Sequence, residues 1–478
     1  LNEAKNIDTS ISLEEIALRR DIRDILTFTI DPWNAKDFDD AISYRLLPND
    51  EVEVGVHIAD VTHYLREGSS LDKEAYTRST SVYLVDRVLP MLPEKLSNEL
   101  CSLRPNEDKL TFSAIFNIDG KGKVTDKWFG RTIIHSDRRF TYEEAQEIIE
   151  GKTGDFKDEI LLLDKIAIIL RKRRLKNGAL NIESEEMRFR LDENGHPVEV
   201  IIKTSKDAHK LVEEFMLLAN KHVAEYIGKV TVKEKPVPCP YRVHDTPDEA
   251  KLAPFMVFAK KYGHVFDVST PAKIASSFNQ LLKDAHGKPE QHVLEALGIR
   301  TMAKAVYTAE NIGHYGLGFE YYCHFTSPIR RYPDVLVHRI VQSVLMGNAM
   351  NDEGLEEKCA HCSMRERAAM EAERAANKYK QVEFMRDYLG HSFEGIISGV
   401  ASFGFFVETV EHKCEGLVTI ASLSKFDDFR LVEADYALVG SRSGRKFNMG
   451  DKVIVKVAAA NLDKRQLDFE WEVNGKLA

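Results

Sequence analysis

Four aspartates fall within ten residues in the stretch DPWNAKDFDDA, at Asp31, Asp37, Asp39 and Asp40. Carboxylates drawn together repel one another. At about 4 Å and an effective dielectric near 20, each ionised pair costs on the order of 4 kcal/mol before screening, so a shared cation or retained protons must offset it. Hard oxygen donors in this number suit Mg²⁺ or Mn²⁺, ions that keep several waters and bridge to substrate phosphates. The chemistry indicated is cleavage or transfer at a phosphodiester. The competing reading is a solvated turn whose aspartates serve turn and capping propensity. Trp33, Ala35, Phe38 and Ala41 lie among the acids, which favours a partly buried loop, and buried carboxylates need a partner.

A basic element complements the acidic one. In HFTSPIRRYPD, Pro328 and Pro333 restrict the backbone on either side of Arg330 and Arg331. A guanidinium fork can hold two phosphate oxygens and stabilise the charge that grows as phosphorus is attacked. Asp334 is expected to be structural, as the N-cap of the apolar helix that follows. The run RKRRLK, Arg171 to Lys176, fits either a solvated helix C-terminus or an RNA contact. In FGFF, Phe403 and Phe406 are candidate stacking platforms for unpaired bases, with Phe405 expected in the core. His57, Asp60 and His63 in HIADVTHY are read as structural, since no third fixed ligand completes a metal set. The same applies to Cys359, His361 and Cys362, because no second cysteine pair stands at matching spacing.

The elements that must position these residues are mixed in type. From Thr27 to Ile58 apolar residues alternate with polar ones around the acidic loop and around the turn Pro48-Asn49-Asp50, which predicts a strand, the loop and a β-hairpin. Further strands are expected over 110–135 and helices over 141–176, 206–227 and most of 333–386. The preceding SLEEIALRRDIRDIL is expected to be a helix with Leu13, Ile16 and Ile25 on one side. After Gly390, short glycine-punctuated strands replace helices, the pattern of a small OB-type barrel in which GSRSGRK is a loop. The fold class is therefore α+β, a mixed catalytic-size domain followed by a small all-β barrel. The predicted divisions are a lead-in over 1–28, a catalytic domain over 29–390 and an RNA-binding OB domain over 391–478.

Bulk properties narrow the class. The chain has 478 residues, 43% hydrophobic and 30% charged, enough apolar material for a large core. Its net charge of −10 argues against coating nucleic acid by charge alone. No apolar run reaches the ~18 residues needed to span a bilayer; the best, Ile160 to Leu170, is broken by Asp164. A secretory signal is missing from the first residues and the six cysteines lack framework spacing, so a cytoplasmic protein with reduced thiols is expected.

Taken together the segments TIDPWNAKDFDDAIS, GVHIADVTHYLREGSSLDKEAYTRSTSVYL, DRVLPMLPEKLSNELCSLRPN, RKRRLKNGALNIESEE, DAHKLVEEFMLLAN, HFTSPIRRYPDVLVHR and HCSMRER resemble the RNB family of exoribonucleases, in family order. The tail, with FGFFVE and EGLVTIASL, is similar to the family's C-terminal OB module of the ribosomal S1 type. The resemblance implies processive hydrolysis of RNA from the 3′ end, releasing nucleoside 5′-monophosphates, with two divalent ions, Mg²⁺ or Mn²⁺, per site. It implies that Asp31, Asp37 and Asp40 are metal ligands, that Asp39 is the essential carboxylate acting through the second metal, and that Arg330 clamps the scissile phosphate. It further implies that Tyr83 stacks on the 3′-terminal nucleotides and that Glu373 contacts the terminal nucleotide, with Arg331, Phe403 and Phe406 as further RNA contacts. Single-stranded RNA, mRNA and structured RNA with a 3′ overhang are the expected partners, and a monomer is the expected state. Three departures stand out: Ile182 where the family has an aromatic clamp, Thr419 where such barrels often have His, and a start close to the catalytic domain where the family carries two cold-shock OB domains. A non-catalytic RNA-binding scaffold and a metal-dependent endonuclease are the rival readings.

Overall fold

The computed structural model describes residues 2–182, 186–232, 234–288, 290–349 and 354–473. Its centre is a seven-stranded sheet built from β1 (Arg20–Asp21), β2 (Thr27–Asp31), β3 (Asp40–Leu46) and β4 (Val52–Ala59), with β7 (Glu107–Ile118), β8 (Val124–Ser136) and β9 (Arg138–Thr141). The order is β1-β8-β7-β4-β3-β2-β9. Between β4 and β7 in the chain, β5 (Val82–Tyr83) and β6 (Val88–Leu89) form a separate two-stranded ribbon. Short connections join the antiparallel pairs β3–β4 and β7–β8, and β4 pairs antiparallel with the distant β7; only β1 with β8 and β2 with β9 run parallel. The predicted turn closes β3 onto β4, with Asp50 at φ 61° and Leu47 N–H bonded to Glu51 O at 2.8 Å.

Strand β4 is buried along its whole length, which alternation alone would assign to only one face. Val52, Val54, Val56 and Ile58 join Phe28, Phe112 and Phe116 under the helices Lys157–Lys176 and Asp207–Gly228. On the opposite face Ala41, Ala59, Ile115 and Ile134 pack against Leu65, Leu96, Val335 and Leu336. Gly55 lies on this second face where a Cβ would collide with the His57 ring and with Ser43. His57 is thus a core residue, its Nδ1 2.7 Å from Ser113 Oγ. Both Cys359 and Cys362 are buried in this second core.

One expectation about local structure is corrected. The predicted helix from Ser12 to Leu26 is only Leu13–Ala17, and Leu13 is 84% exposed. Arg19 ends it: the guanidinium turns inward to Asp60 Oδ2 at 2.8 Å and to the carbonyls of Thr111 and Thr132, and the next residues add β1 to the sheet edge. The sheet therefore begins before residue 28. The run RKRRLK ends the helix Lys157–Lys176 as expected, with Lys172, Arg173 and Lys176 exposed. Arg174 is buried against Glu214 Oε1 at 2.5 Å, and Arg173 donates to the carbonyls of Lys121 and Gly122.

Three helices, Glu249–Lys260, Pro271–Ala285 and Gln291–Thr301, form their own apolar cluster. The 32-residue helix Leu355–Arg386 then carries the chain out of the catalytic body. Its last turns, through Val382, Phe384 and Met385, are part of the barrel's core. The barrel itself closes in the order Ser392–Ala401, Gly404–Thr409, Glu415–Thr419, Gln466–Trp471 and Lys452–Asn461. Residues 441–445 of GSRSGRK form the turn between two strands of an accompanying small sheet. Among the described residues no helix is long and apolar enough to cross a membrane.

Candidate active site

Asp31 ends β2 and Asp40 begins β3, so the acidic loop is the connection between two neighbouring strands at one end of the sheet. The strand ends are fixed by their partners, with Asp31 in register with Thr141 and Asp40 with Ile58. Inside the loop Phe38 and Asp39 turn into the protein, while Trp33 is 73% exposed. The apolar residues of the loop therefore do not all anchor it, as the sequence suggested. Phe38 and Ala41 are buried in the second core and Ala35 packs against it; Phe38 lies under the Arg139 guanidinium at 5.2 Å, and that arginine also donates to Pro32 O at 2.6 Å.

Each of the four carboxylates is pushed above its ordinary range, and burial is the first cause in every case. For Asp31 the second cause is the charge of Asp40; Thr29 and Arg139 act in the opposite direction. For Asp37, Asp39 and Asp40 the nearby Arg330 opposes the rise. Asp31 Oδ2 is buried with no hydrogen-bond partner. Among the described residues no three His, Cys, Asp or Glu side chains stand as a finished coordination set. An acid cluster that resists ionisation and holds an orphaned carboxylate oxygen nonetheless fits a divalent cation, which would favour the charged forms and draw the oxygens together.

The arginine loop closes over this site. Ile329 N–H donates to Asp39 Oδ1 at 2.8 Å, and Arg330 Nε lies 3.8 Å from Asp39 Oδ2. Arg330 Nη2 donates to Ser327 Oγ at 3.0 Å and the side chain stays partly exposed. Its neighbour is different. Arg331 is turned inward, with Nη2 2.7 Å from Asp334 Oδ1, an oxygen that also accepts the Ser327 N–H at 2.7 Å. This corrects one expectation, since the fully buried Asp334 lies in the first turn of the helix Tyr332–Leu345 rather than at its N-cap; Arg331 braces the loop through that carboxylate.

Tyr83 belongs to the same frame. Ser81 N–H bonds to Arg330 O at 3.0 Å and Tyr332 N–H to Ser79 O at 2.8 Å, which ties the strand before Tyr83 to the arginine loop. The phenol is 41% exposed, and its proton is held more tightly than usual by burial, against the pull of Arg330 and with the help of Asp37, Asp39 and Glu373. Glu373, on the long helix, accepts the Tyr83 backbone N–H at 2.9 Å. It therefore reaches the site through Tyr83.

The barrel holds its two aromatics at the start of its second strand. Phe403 is 53% exposed and meets Phe406 edge-on at 6.0 Å, whereas Phe405 is fully buried. Gly404 between them has φ 148°, and a Cβ there would strike Val418 O. Thr419 caps the short helix after the third barrel strand, accepting from Ser422 N–H at 3.2 Å. Ile182 lines a cleft of about 1320 Å³ between the helices over 271–301 and the barrel, with Lys283, Lys288 and Lys452.

Two neighbours of the acids escaped the sequence reading. The Ile329 amide is a backbone group and leaves no side-chain signal. Tyr142, which feels the charges of Asp40 and Asp31 and stacks on His209 at 4.0 Å, is the first helical residue inside a capping box formed by Thr141 and Glu144. That box was readable as the helix start that places it.

A seven-stranded sheet with an acidic loop at one end, an arginine loop across it and an OB barrel on a long helix is the architecture of one class of RNA enzymes and their relatives. The chain belongs to the family defined by the RNB domain, whose model matches residues 19–347, and it carries an S1 RNA binding domain over residues 387–471. It is 40% identical over 481 residues to ribonuclease R of Aquifex aeolicus, covering 98% of this chain and 67% of that protein. It is 36% identical over 477 residues to ribonuclease R of Escherichia coli K12, covering 95% and 58%. The chain thus spans between 58% and 67% of the length of these relatives. In structure it is similar to Mycoplasma genitalium RNase R in complex with ribose methylated single-stranded RNA, with a TM-score of 0.90 at 27% identity over 98% of this chain and 74% of that one. The same protein with double-stranded RNA gives 0.85 at 26% identity, covering 98% and 79%.

Proposed function

We propose that this chain is a hydrolytic 3′-to-5′ exoribonuclease that removes nucleoside 5′-monophosphates processively from single-stranded RNA, including mRNA and structured RNA with a 3′ overhang. The observation that carries the reading is Asp39, buried, bonded to the Ile329 amide and facing Arg330 at 3.8 Å, in the same loop as three more aspartates. Fold alone would not decide it, since a yeast protein of related fold, Ssd1, is described as a pseudonuclease, with a TM-score of 0.72 at 21% identity over 90% of this chain and 53% of that one.

Asp31, Asp37, Asp39 and Asp40 would hold two divalent ions, Mg²⁺ or Mn²⁺, whose chemistry is to activate water and to neutralise charge at the phosphate. The chain's own residues do the rest. Arg330, partly exposed and kept in place by Ser327, meets the charge that develops on the phosphoryl oxygens. Tyr83 offers an aromatic face to the last base, which requires an unpaired end. Phe403 and Phe406 give the barrel a second stacking surface. The reading includes action as a monomer in the cytoplasm, where buried cysteines that form no disulfide among the described residues are at home.

The test is digestion of 5′-labelled RNA, free or blocked at its 3′ end, with Mg²⁺, Mn²⁺ or EDTA. Mononucleotides released only from the free 3′ end, and only with metal, are expected. Internal fragments would instead mark an endonuclease, and binding without cleavage a scaffold.

A further inference from the structure

The segment LPEKLSNELCSLRPN is unused by the reading of the site, yet it packs behind the acidic loop. It folds as an uncommon turn, a π-helix over Lys95–Leu100, in which the Cys101 N–H reaches back to Leu96 O at 2.9 Å. Such wide turns re-aim the chain and recur at functional sites. Here the turn delivers Ser102, fully buried, to the back of the loop. Ser102 Oγ accepts the Phe38 N–H at 3.0 Å and donates to Lys36 O at 2.8 Å. The next residue adds a third bond, Leu103 N–H to Phe38 O at 3.0 Å. From the other side Ala59 N–H bonds to Asp39 O at 2.8 Å.

These bonds bracket Asp37 and end beside Asp39. A hydroxyl carries one donor and acceptor lone pairs on a single atom, so Ser102 can satisfy two backbone groups of opposite kind one residue apart from Asp37. Alanine can satisfy neither, and a thiol does both weakly. A buried amide and carbonyl left unpaired would pull the loop toward another conformation.

We infer that Ser102 is a positioning residue that fixes the backbone between Asp37 and Asp39, so that both carboxylates face the cation site before it is filled. The inference rests on the reading of these aspartates as cation ligands. It gives the π-turn a purpose, since an ordinary α-turn would bring a different residue to the loop.

The experiment compares wild type, Ser102→Ala, Ser102→Cys and Ser102→Thr in the full chain. Mn²⁺ binding is followed without RNA by electron paramagnetic resonance, and hydrogen exchange is read for peptides over 36–39 and 52–58. Supporting partners of metal ligands typically contribute about 10–100-fold in metal affinity, and a loss of that size is expected for Ser102→Ala. Exchange should quicken over 36–39 and stay unchanged over 52–58, RNA affinity in EDTA should hold, and Ser102→Thr should recover much of the Mn²⁺ affinity. Wild-type Mn²⁺ affinity in Ser102→Ala overturns the role of Ser102. Should Ser102→Ala fail to fold, Ser102→Cys, of similar volume, decides by the same criterion. Rapid exchange over 36–39 in the wild type, without Mn²⁺, would overturn the inference irrespective of any variant. A wild type that binds no Mn²⁺ overturns the cation reading itself, which is a different failure.

Discussion

Ile329 and Asp39 are 290 positions apart in the chain and share one hydrogen bond, from the Ile329 N–H to Asp39 Oδ1 at 2.8 Å. Through it the loop that presents Arg330 and the loop that carries the acids become one unit. The bond also shapes the charge of Asp39. Burial works against ionisation, while Arg330 and this amide work for it.

An Asp39→Asn substitution separates these roles, because its amide oxygen can still accept from Ile329 while the charge is gone. The single-turnover rate should fall by at least the roughly 10²–10³-fold that single electrostatic stabilisers contribute elsewhere. RNA affinity in EDTA and the thermal midpoint in EDTA should not fall, since a desolvated charge has been removed. Wild-type turnover in this variant would remove Asp39 from the chemistry.

Much of this site was legible in the sequence, for a physical reason. Acids at Asp31, Asp37, Asp39 and Asp40 are costly together, so their clustering is itself a signal, and alternation in β3 and β4 marks the strands that hold the loop. Direction was not legible. Adjacent arginines look alike in sequence, but Asp334 one turn later takes Arg331 inward and leaves Arg330 outward. The early helix was misjudged because Arg19 is a charged residue whose buried partner, Asp60, lies 41 positions away. Ser102 and the Ile329 amide were invisible as site residues, since what they contribute is the geometry of another loop's backbone.

Asp60 predicts the acid limb of stability. Burial would raise its pKa, but Arg131, Arg19 and the Thr62 hydroxyl outweigh it and bring the carboxyl to about 2. A depressed folded pKa stabilises above the unfolded value near 3.9, and that contribution fades as pH falls from about 4 toward 2. At neutral pH the shift corresponds to about 2 kcal/mol. Asp60→Asn should therefore lower urea stability by at least about 2 kcal/mol at pH 7, more if Arg19 is left buried without a counter-charge. The gap between variant and wild type should narrow progressively from pH 4 to pH 2; a gap independent of pH would refute the electrostatic account.

Tyr83 and Glu373 should behave as one device. Tyr83→Ala removes a stacking contact worth roughly 1–3 kcal/mol, a larger share of a short RNA's binding than of a long one's. Glu373→Ala frees the Tyr83 backbone N–H and should lengthen the residual oligonucleotide in the same direction by a smaller amount. The double variant should then fall short of the sum, as expected for residues acting through each other. The lengths of the end products and Kd for short RNAs measure this. Strict additivity would mean that Glu373 meets RNA independently of Tyr83.

The two adjacent arginines should fail in opposite ways. Arg330 is partly exposed and, besides its 3.8 Å ion pair with Asp39, donates a hydrogen bond to Ser327, so Arg330→Ala should fold as the wild type does and lose rate by about 10²–10³-fold, with Mn²⁺ affinity little changed. Arg330→Lys should recover little, because an ammonium cannot reproduce the planar fork. Arg331→Ala strands the fully buried Asp334, and breaking such a pair costs about 3–5 kcal/mol. Its loss should appear first as a lower denaturation midpoint, with activity falling because the Ser327 N–H and Arg330 are held by the same loop. Replacing both members, Arg331→Met with Asp334→Asn, should recover part of the stability without restoring the full rate. Urea unfolding and single-turnover kinetics on the same preparations test the contrast, and an Arg331→Ala protein of wild-type stability would refute the bracing role of that residue.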